Sequence, residues 1–289
     1  MTSQLVINGL IAASGYVLVG LGVGLVYSTA RFIHFAHAIV FTLCAYLTLL
    51  YSKMALLPIW LGIPLSVLSV TMLGVLIEVA VYRPLRRRRS SSLVLLLASL
   101  GVYTVIQNII SLGFGDQTRS LRDGSLSSSV AVIGARASLV QLCLISAAII
   151  VTTFIALCWS STRIGRTFRA IASDPDLASA LGVSVDRYLA FAVALASALA
   201  GIAGILIAFD LDMQPTMGLG IFLMAFIAFI VGGGSSFHGL VLGAVGIAGV
   251  QQISGWFFGA MWEDAIAFMI LGAFLAQAPG RAIRLVRSH

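Results

Sequence analysis

Leu5-Val-Ile-Asn-Gly-Leu-Ile-Ala-Ala-Ser-Gly-Tyr-Val-Leu-Val-Gly-Leu-Gly-Val-Gly-Leu-Val-Tyr27 carries no charged side chain. A helix needs about 20 such residues to cross a hydrocarbon core of about 30 Å, and this run supplies them. In lipid the backbone must satisfy its own N–H and C=O groups, which leaves helices or a closed barrel. The run lacks the alternating pattern of a barrel strand. The residues before it, Met1-Thr2-Ser3-Gln4, have no positive n-region of a secretory signal. The run is therefore expected to be the first membrane helix and not a cleaved leader.

Outward from it the pattern repeats. Apolar runs fall at 38–51, 58–82, 92–113, 138–159, 188–209, 219–233, 237–259 and 262–279. Those at 38–51 and 219–233 are short and read either as full crossings or as half-helices. The expected fold class is all-α, a polytopic integral membrane protein of eight or nine membrane segments including possible half-helices. With 60% hydrophobic residues, 9% charged residues and a mean hydropathy of +1.08, the segments use up the 289 residues. One transmembrane domain over 1–289 is expected, with no separate soluble domain.

Charge lies between the runs. Arg83 with Arg86 to Arg89, then Arg163, Arg166, Arg169 and Arg187, then Arg281, Arg284 and Arg287 flank apolar segments. Basic residues near span ends are retained on the cytoplasmic side, so the three clusters are expected to share that face, with the C-terminus on it. Three spans before Arg83 would put the N-terminus outside; if 38–51 does not cross, it moves inside. The net charge of +7 is explained by this placement, and no arginine-rich face of the kind that binds nucleic acid is present. The serine-rich stretch 114–137 becomes the largest external loop, a solvated connector or a docking surface. Cys44, Cys143 and Cys158 lie in or beside apolar runs without metal or redox spacing and read as packing residues.

The cytoplasmic stretch from about 160 to 187 holds a short helix with both ends marked. Asp174 can cap free amides, Pro175 fits the first helical position and Asp176 favours the positive end of the dipole. Gly182 can end the helix after Leu181. Two turns are not stable alone in water. Leu177, Ala178 and Leu181 offer an apolar face, either for a groove on another protein or for packing on the chain's own membrane domain.

Four motifs occur in order: Ile33-His34-Phe35-Ala36-His37-Ala38; Glu78-Val-Ala-Val-Tyr-Arg-Pro-Leu-Arg86 followed by Gly101 to Gln107-Asn108; the pairs Gly165-Arg166, Arg169-Ala170, Asp174-Pro175, Leu181-Gly182 and Asp186-Arg187; and Gly232-Gly233-Gly234-Ser235-Ser236-Phe237-His238-Gly239 with Gly243. Together they resemble the membrane-spanning permeases of branched-chain amino acid ABC importers, of the LivH and LivM type. His34 stands where that family has asparagine and Ala38 where it has glycine.

The resemblance implies that Arg166, Arg169, Asp174, Pro175, Asp176, Leu177, Ala178, Leu181 and Gly182 form a coupling element against an ATPase. It further implies two ATPase subunits carrying ATP and Mg²⁺, a second, LivM-like permease, an extracytoplasmic binding protein and a bacterial inner-membrane location. No cofactor is expected on this chain itself, and no Gly-x-x-x-x-Gly-Lys-Ser/Thr loop occurs in it. Cargo is expected to be a branched-chain or other neutral amino acid; urea or a short amide is the alternative.

Glu78 near the end of its span needs a cation, and Arg83, just beyond it, is the expected partner in a structural pair. His34 and His37 lack a third ligand, so no metal site is expected. His34, Phe35, His37, Gly232, Gly233, Gly234 and Ser235 are candidate pathway residues, because an interrupted helix or glycine turn frees backbone groups beside a cavity, and Gln107 and Asn108 join them through the resemblance. No basic residue or paired carboxylate lies in mid-span, which fits a neutral or zwitterionic solute and disfavours an ion-coupled secondary transporter. Asp210, Asp212, Glu263 and Asp264 are expected at the outer mouth. Ser235, Ser236 and His238 lack an orienting acid, so hydrolase chemistry is not expected.

Overall fold

The computed structural model describes residues 2–122, 129–132, 134–234 and 236–277. The helices run in the order α1 (Thr2–Ala30), α2 (Ala36–Leu49), α3 (Ile59–Ile77), α4 (Arg83–Arg87), α5 (Ser92–Phe114), α6 (Leu139–Ser161), α7 (Arg163–Ser173), α8 (Pro175–Ala180), α9 (Val185–Asp210), α10 (Met217–Val231), α11 (Phe237–Phe258) and α12 (Glu263–Gln277). A π turn over Leu50–Met54 lengthens α2 and another over Glu78–Tyr82 joins α3 to α4. Among the described residues eight helical stretches are long and apolar enough to cross a membrane, one of them Ala36–Met54. Of the two runs that read as short, the first is thus extended to crossing length, while α10 stays at 15 residues.

α1 sits at the centre, packed by α6, α9, α10 and α11, with α2 between α3 and α9. Small residues permit these crossings. A Cβ on Gly204 of α9 would collide with the Phe41 carbonyl of α2, and one on Gly243 of α11 would meet the Ala228 carbonyl of α10. The periphery faces outward with leucine-rich stripes, such as Leu65, Leu68, Met72 and Leu76 on α3, which lipid can cover without cost.

Hydrogen bonds define two ends. At one, Arg119 and Met213 exchange backbone bonds of 2.9 and 2.8 Å, Arg122 pairs with Asp212 at 3.0 Å, and Gln4 bonds the backbone of Arg136. Hydrogen bonds from Arg122 and Ser120 hold the Asp212 carboxyl below its ordinary pKa. The stretch 114–137, read as a plain loop, folds in part into an antiparallel hairpin, β1 (Ser129–Val132) with β2 (Ala135–Ser138), in register Ser129 to Ser138. Ser138 then caps α6 in a reciprocal box with Gln141.

At the other end, Arg83 bonds Asp186 at 2.8 Å and Arg31 bonds the last carbonyls of α7. Two of the three arginine clusters therefore lie together; Arg281, Arg284 and Arg287 lie outside the described residues.

The expected pair of Glu78 with Arg83 is not formed. Glu78 is buried and its partner is Arg86, which reaches Oε2 at 3.3 Å and binds Oε1 more closely still. The reason is the π turn: its wider ring advances less rotation per residue than an α turn, so Arg86 returns to the face of Glu78 while Arg83 turns to α9.

Candidate functional site

Two groups of residues meet at the end that carries Arg83 and Asp186. One is the α7–α8 unit. Thr162 caps α7 by accepting from Gly165 N at 3.0 Å, and α7 buries Phe168 and Ile171 while Arg163, Arg166 and Arg169 stay exposed. The Phe168 ring stacks on Trp159 at 5.9 Å and meets Tyr188 at 5.7 Å, which fastens α7 to α6 and α9. Arg169 adds a bond to the Trp159 carbonyl. Arg166 makes no side-chain bond among the described residues.

Asp174 ends α7 and starts α8. Its Oδ1 accepts from Asp176 N at 3.0 Å and Leu177 N at 2.9 Å, and Pro175 occupies the first turn, where no N–H is missed. At the far end Gly182 takes φ +87, its N–H bonds Ser179 O, and Val183 N bonds Ala178 O at 3.0 Å. This 6→1 with 5→2 pattern is a Schellman cap. Ala178 is buried, whereas Leu177 is 58% and Leu181 78% exposed. Ala178 thus packs on the chain itself, while the two leucines of α8 are left uncovered among the described residues.

The second group is the segment 31–35 between α1 and α2. α1 stops at Arg31, whose φ of +54 is left-handed and costs a side-chain-bearing residue about 1–2 kcal/mol. Its guanidinium bonds the carbonyls of Ala172 at 2.7 Å and Ser173 at 3.1 Å, the unpaired C-terminal acceptors of α7. The chain then turns back between the helices. Ser99 of α5 holds it, accepting from Phe35 N at 3.2 Å.

His34 and His37 are buried, with ring centroids 6.4 Å apart. His37 Nε2 lies 3.3 Å from the Val19 carbonyl, so that nitrogen carries the proton. Gly22 leaves room for the ring, since a Cβ there would fall 2.7 Å from Nε2. His34 packs on Tyr82 at 5.0 Å, and neither His34 Nδ1 nor the Tyr82 hydroxyl has a hydrogen-bond partner among the described residues. The void beside the two histidines is about 10 Å³, room for roughly one water. A larger cavity of about 450 Å³ is lined by Ile33, Leu96, Phe226 and Leu275, with Arg31 also in its wall.

The other candidate pathway residues are not gathered here. Gln107 and Asn108 lie about two turns further along α5 than Ser99, and Asn108 bonds its own helix at Thr104 O. Gly232 to Gly234 form the α10–α11 turn, where Gly232 and Gly239 approach too closely for any Cβ, and Gly234 with Trp159 and Phe237 borders a separate cavity of about 40 Å³. Ser235 lies outside the described residues. Ser236 caps α11 by accepting from Gly239 N at 2.9 Å. Among the described residues no three His, Cys, Asp or Glu side chains converge on one point.

Sequence reading missed α7 as a helix, along with Arg31 and Ser99. For α7 the signal was present, as arginines spaced by three opposite Phe168 and Ile171. For Arg31 there was none, because its partners are carbonyls 141 and 142 residues away.

Residues 5–275 match the family model described as the branched-chain amino acid transport system / permease component. The chain is 28% identical to the high-affinity branched-chain amino acid transport system permease protein LivH of Escherichia coli (strain K12), covering 96% of this chain and 93% of that protein. The LivH of Salmonella typhimurium gives the same figures, and BraD of Pseudomonas aeruginosa is 26% identical over 96% and 94%. In fold the chain is similar to PsaBC from Streptococcus pneumoniae in complex with Fab, with a TM-score of 0.50 and 13% identity over 91% of this chain and 89% of that one. With the match running through α1 to α12, the chain belongs to the branched-chain amino acid transport permease family, and as a permease component it is a transport subunit rather than an enzyme.

Proposed function

We propose that this chain is one of two permeases in an ATP-driven importer of branched-chain or other neutral amino acids in a bacterial inner membrane. Its companion is a LivM-like permease, an extracytoplasmic binding protein delivers the cargo, and two ATPase subunits bind ATP and Mg²⁺. Arg83, α7 and α8 face the cytosol, with the C-terminus; the start of α1 faces outside.

The observation that carries the reading is the bond path from α8 to the buried segment. α8 presents Leu177 and Leu181 to water, a face that a groove on an ATPase would cover. α7 joins it without a flexible link, because Asp174 is both the C-cap of α7 and the N-cap of α8. Arg31 binds the end of α7 and is three residues from His34. Movement of α8 is thereby carried to the segment 31–37, next to the closed void at His37, and opens it toward the cytosol while the outer side closes.

Reconstitution in proteoliposomes with all partners tests this. Binding protein loaded with leucine should stimulate ATP hydrolysis and uptake, and Asp174→Lys or Leu181→Glu should abolish stimulation while the variants still fold and insert. Stimulation unchanged in both variants would remove α8 from the coupling role.

A further inference from the structure

At the end that carries Gln4 and Arg136, a cavity of about 350 Å³ opens among α1, α6, α9, α10 and α11. Small-molecule sites span roughly 300–1,000 Å³. The walls divide by chemistry. Ile11, Leu144 and Ile207, all buried, make an aliphatic floor, and the half-buried ring of Tyr16 continues it, its hydroxyl already donated to Gln251 at 2.8 Å.

On the α9 side stands the carboxylate of Asp210, and Gln141, whose Oε1 accepts from Ser138 N at 2.9 Å, lines the cavity with it. Two carboxamides also line the cavity. Asn8 of α1 accepts from Gln4 Nε2 at 3.0 Å, which fixes its amide with Nδ2 left to donate. Gln252 of α11 also lines the cavity and has no hydrogen-bond partner among the described residues.

One carboxylate, two amide donors and an aliphatic floor complement a zwitterion that bears a branched aliphatic side chain. The ammonium pairs with Asp210, the carboxylate accepts from Asn8 and Gln252, and the side chain covers Ile11, Leu144 and Ile207. A lone anion would face Asp210, a lone cation would leave both amides unused, and urea would leave the aliphatic floor bare. We infer that this cavity binds the free branched-chain α-amino acid at the outer mouth, apart from the buried segment at His34 and His37. The inference rests on the proposed function and adds to it a site on the permease itself.

Binding of labelled leucine to the purified full-length chain in nanodiscs tests the site. Saturable binding is expected, competed by valine but not by leucinamide, 4-methylvalerate or urea. Asp210→Asn and Gln252→Leu should each weaken it about tenfold or more. Melting temperature and elution volume report folding, and Gln252→Leu decides if Asp210→Asn fails to fold. Absence of saturable leucine binding, or unchanged affinity in the folded variants, overturns the inference. If the assembled transporter accumulates leucine while the chain binds none, this site falls and the proposed function stands; if it accumulates urea alone, both fall.

Discussion

Glu78 is 1% exposed, and a carboxylate so placed is tolerated when its cation is matched and bonded. Arg86 is that cation, whereas Arg83 pairs with Asp186 where both are more than a third exposed. Removing one partner of a buried pair costs about 3–5 kcal/mol and of an exposed pair about 1 kcal/mol or less. Arg86→Ala is therefore expected to destabilise the protein by several times more than Arg83→Ala, measured by thermal unfolding in detergent. That Glu78 needs an arginine is legible from its position at a span end; which arginine is not, because the π turn that selects Arg86 leaves no local mark in Glu-Val-Ala-Val-Tyr. Arg31 acts differently. Its left-handed backbone is relieved by glycine, so Arg31→Gly should retain stability better than Arg31→Ala. Both should lower leucine transported per ATP hydrolysed several-fold, since both cut the tie to α7, and a ratio unchanged from the parent would remove Arg31 from the transmission path.

At the scale of elements, α8 depends on its ends. Six residues cannot hold a helix by propagation, and the caps at Asp174 and Gly182 satisfy the groups that propagation would have paired. Asp174→Ala should cost about 1 kcal/mol of local stability. Amide hydrogen exchange should then quicken over 176–181, with the exchange of α9 unaltered. This helix was readable because Asp-Pro-Asp and Leu-Gly are local signals of start and stop. The long helices were readable because lipid demands continuous apolar runs. The hairpin β1–β2 was not: its strands are four residues each, and Gln4, on another element, fixes β2 through the Arg136 backbone. The extension of α2 to Met54 was hidden for a similar reason, since the π turn carries Lys53, whose ammonium reaches Ser120 O at 3.3 Å.

For the whole molecule, two ends and a dense centre define what can move. α1, α2 and α9 pack backbone against backbone and are expected to stay together, while α7 and α8 sit outside that body and are joined to it through aromatic rings and Arg31. Composition announced the lipid environment, and arginine placement announced the shared end. The gathering of Arg31, Ser99 and the two histidines required the fold, because their contacts span α1, α5 and α7. The proposed coupling requires α8 to meet an ATPase in the cytosol. With Cys44, Cys143 and Cys158 replaced, Ser179→Cys on the exposed side of α8 can be labelled with a membrane-impermeant maleimide in right-side-out and inside-out vesicles, with and without the ATPase subunits. Labelling is expected in inside-out vesicles alone and protection once the ATPase is bound; labelling from the outside, or labelling undiminished by the bound ATPase, would contradict it.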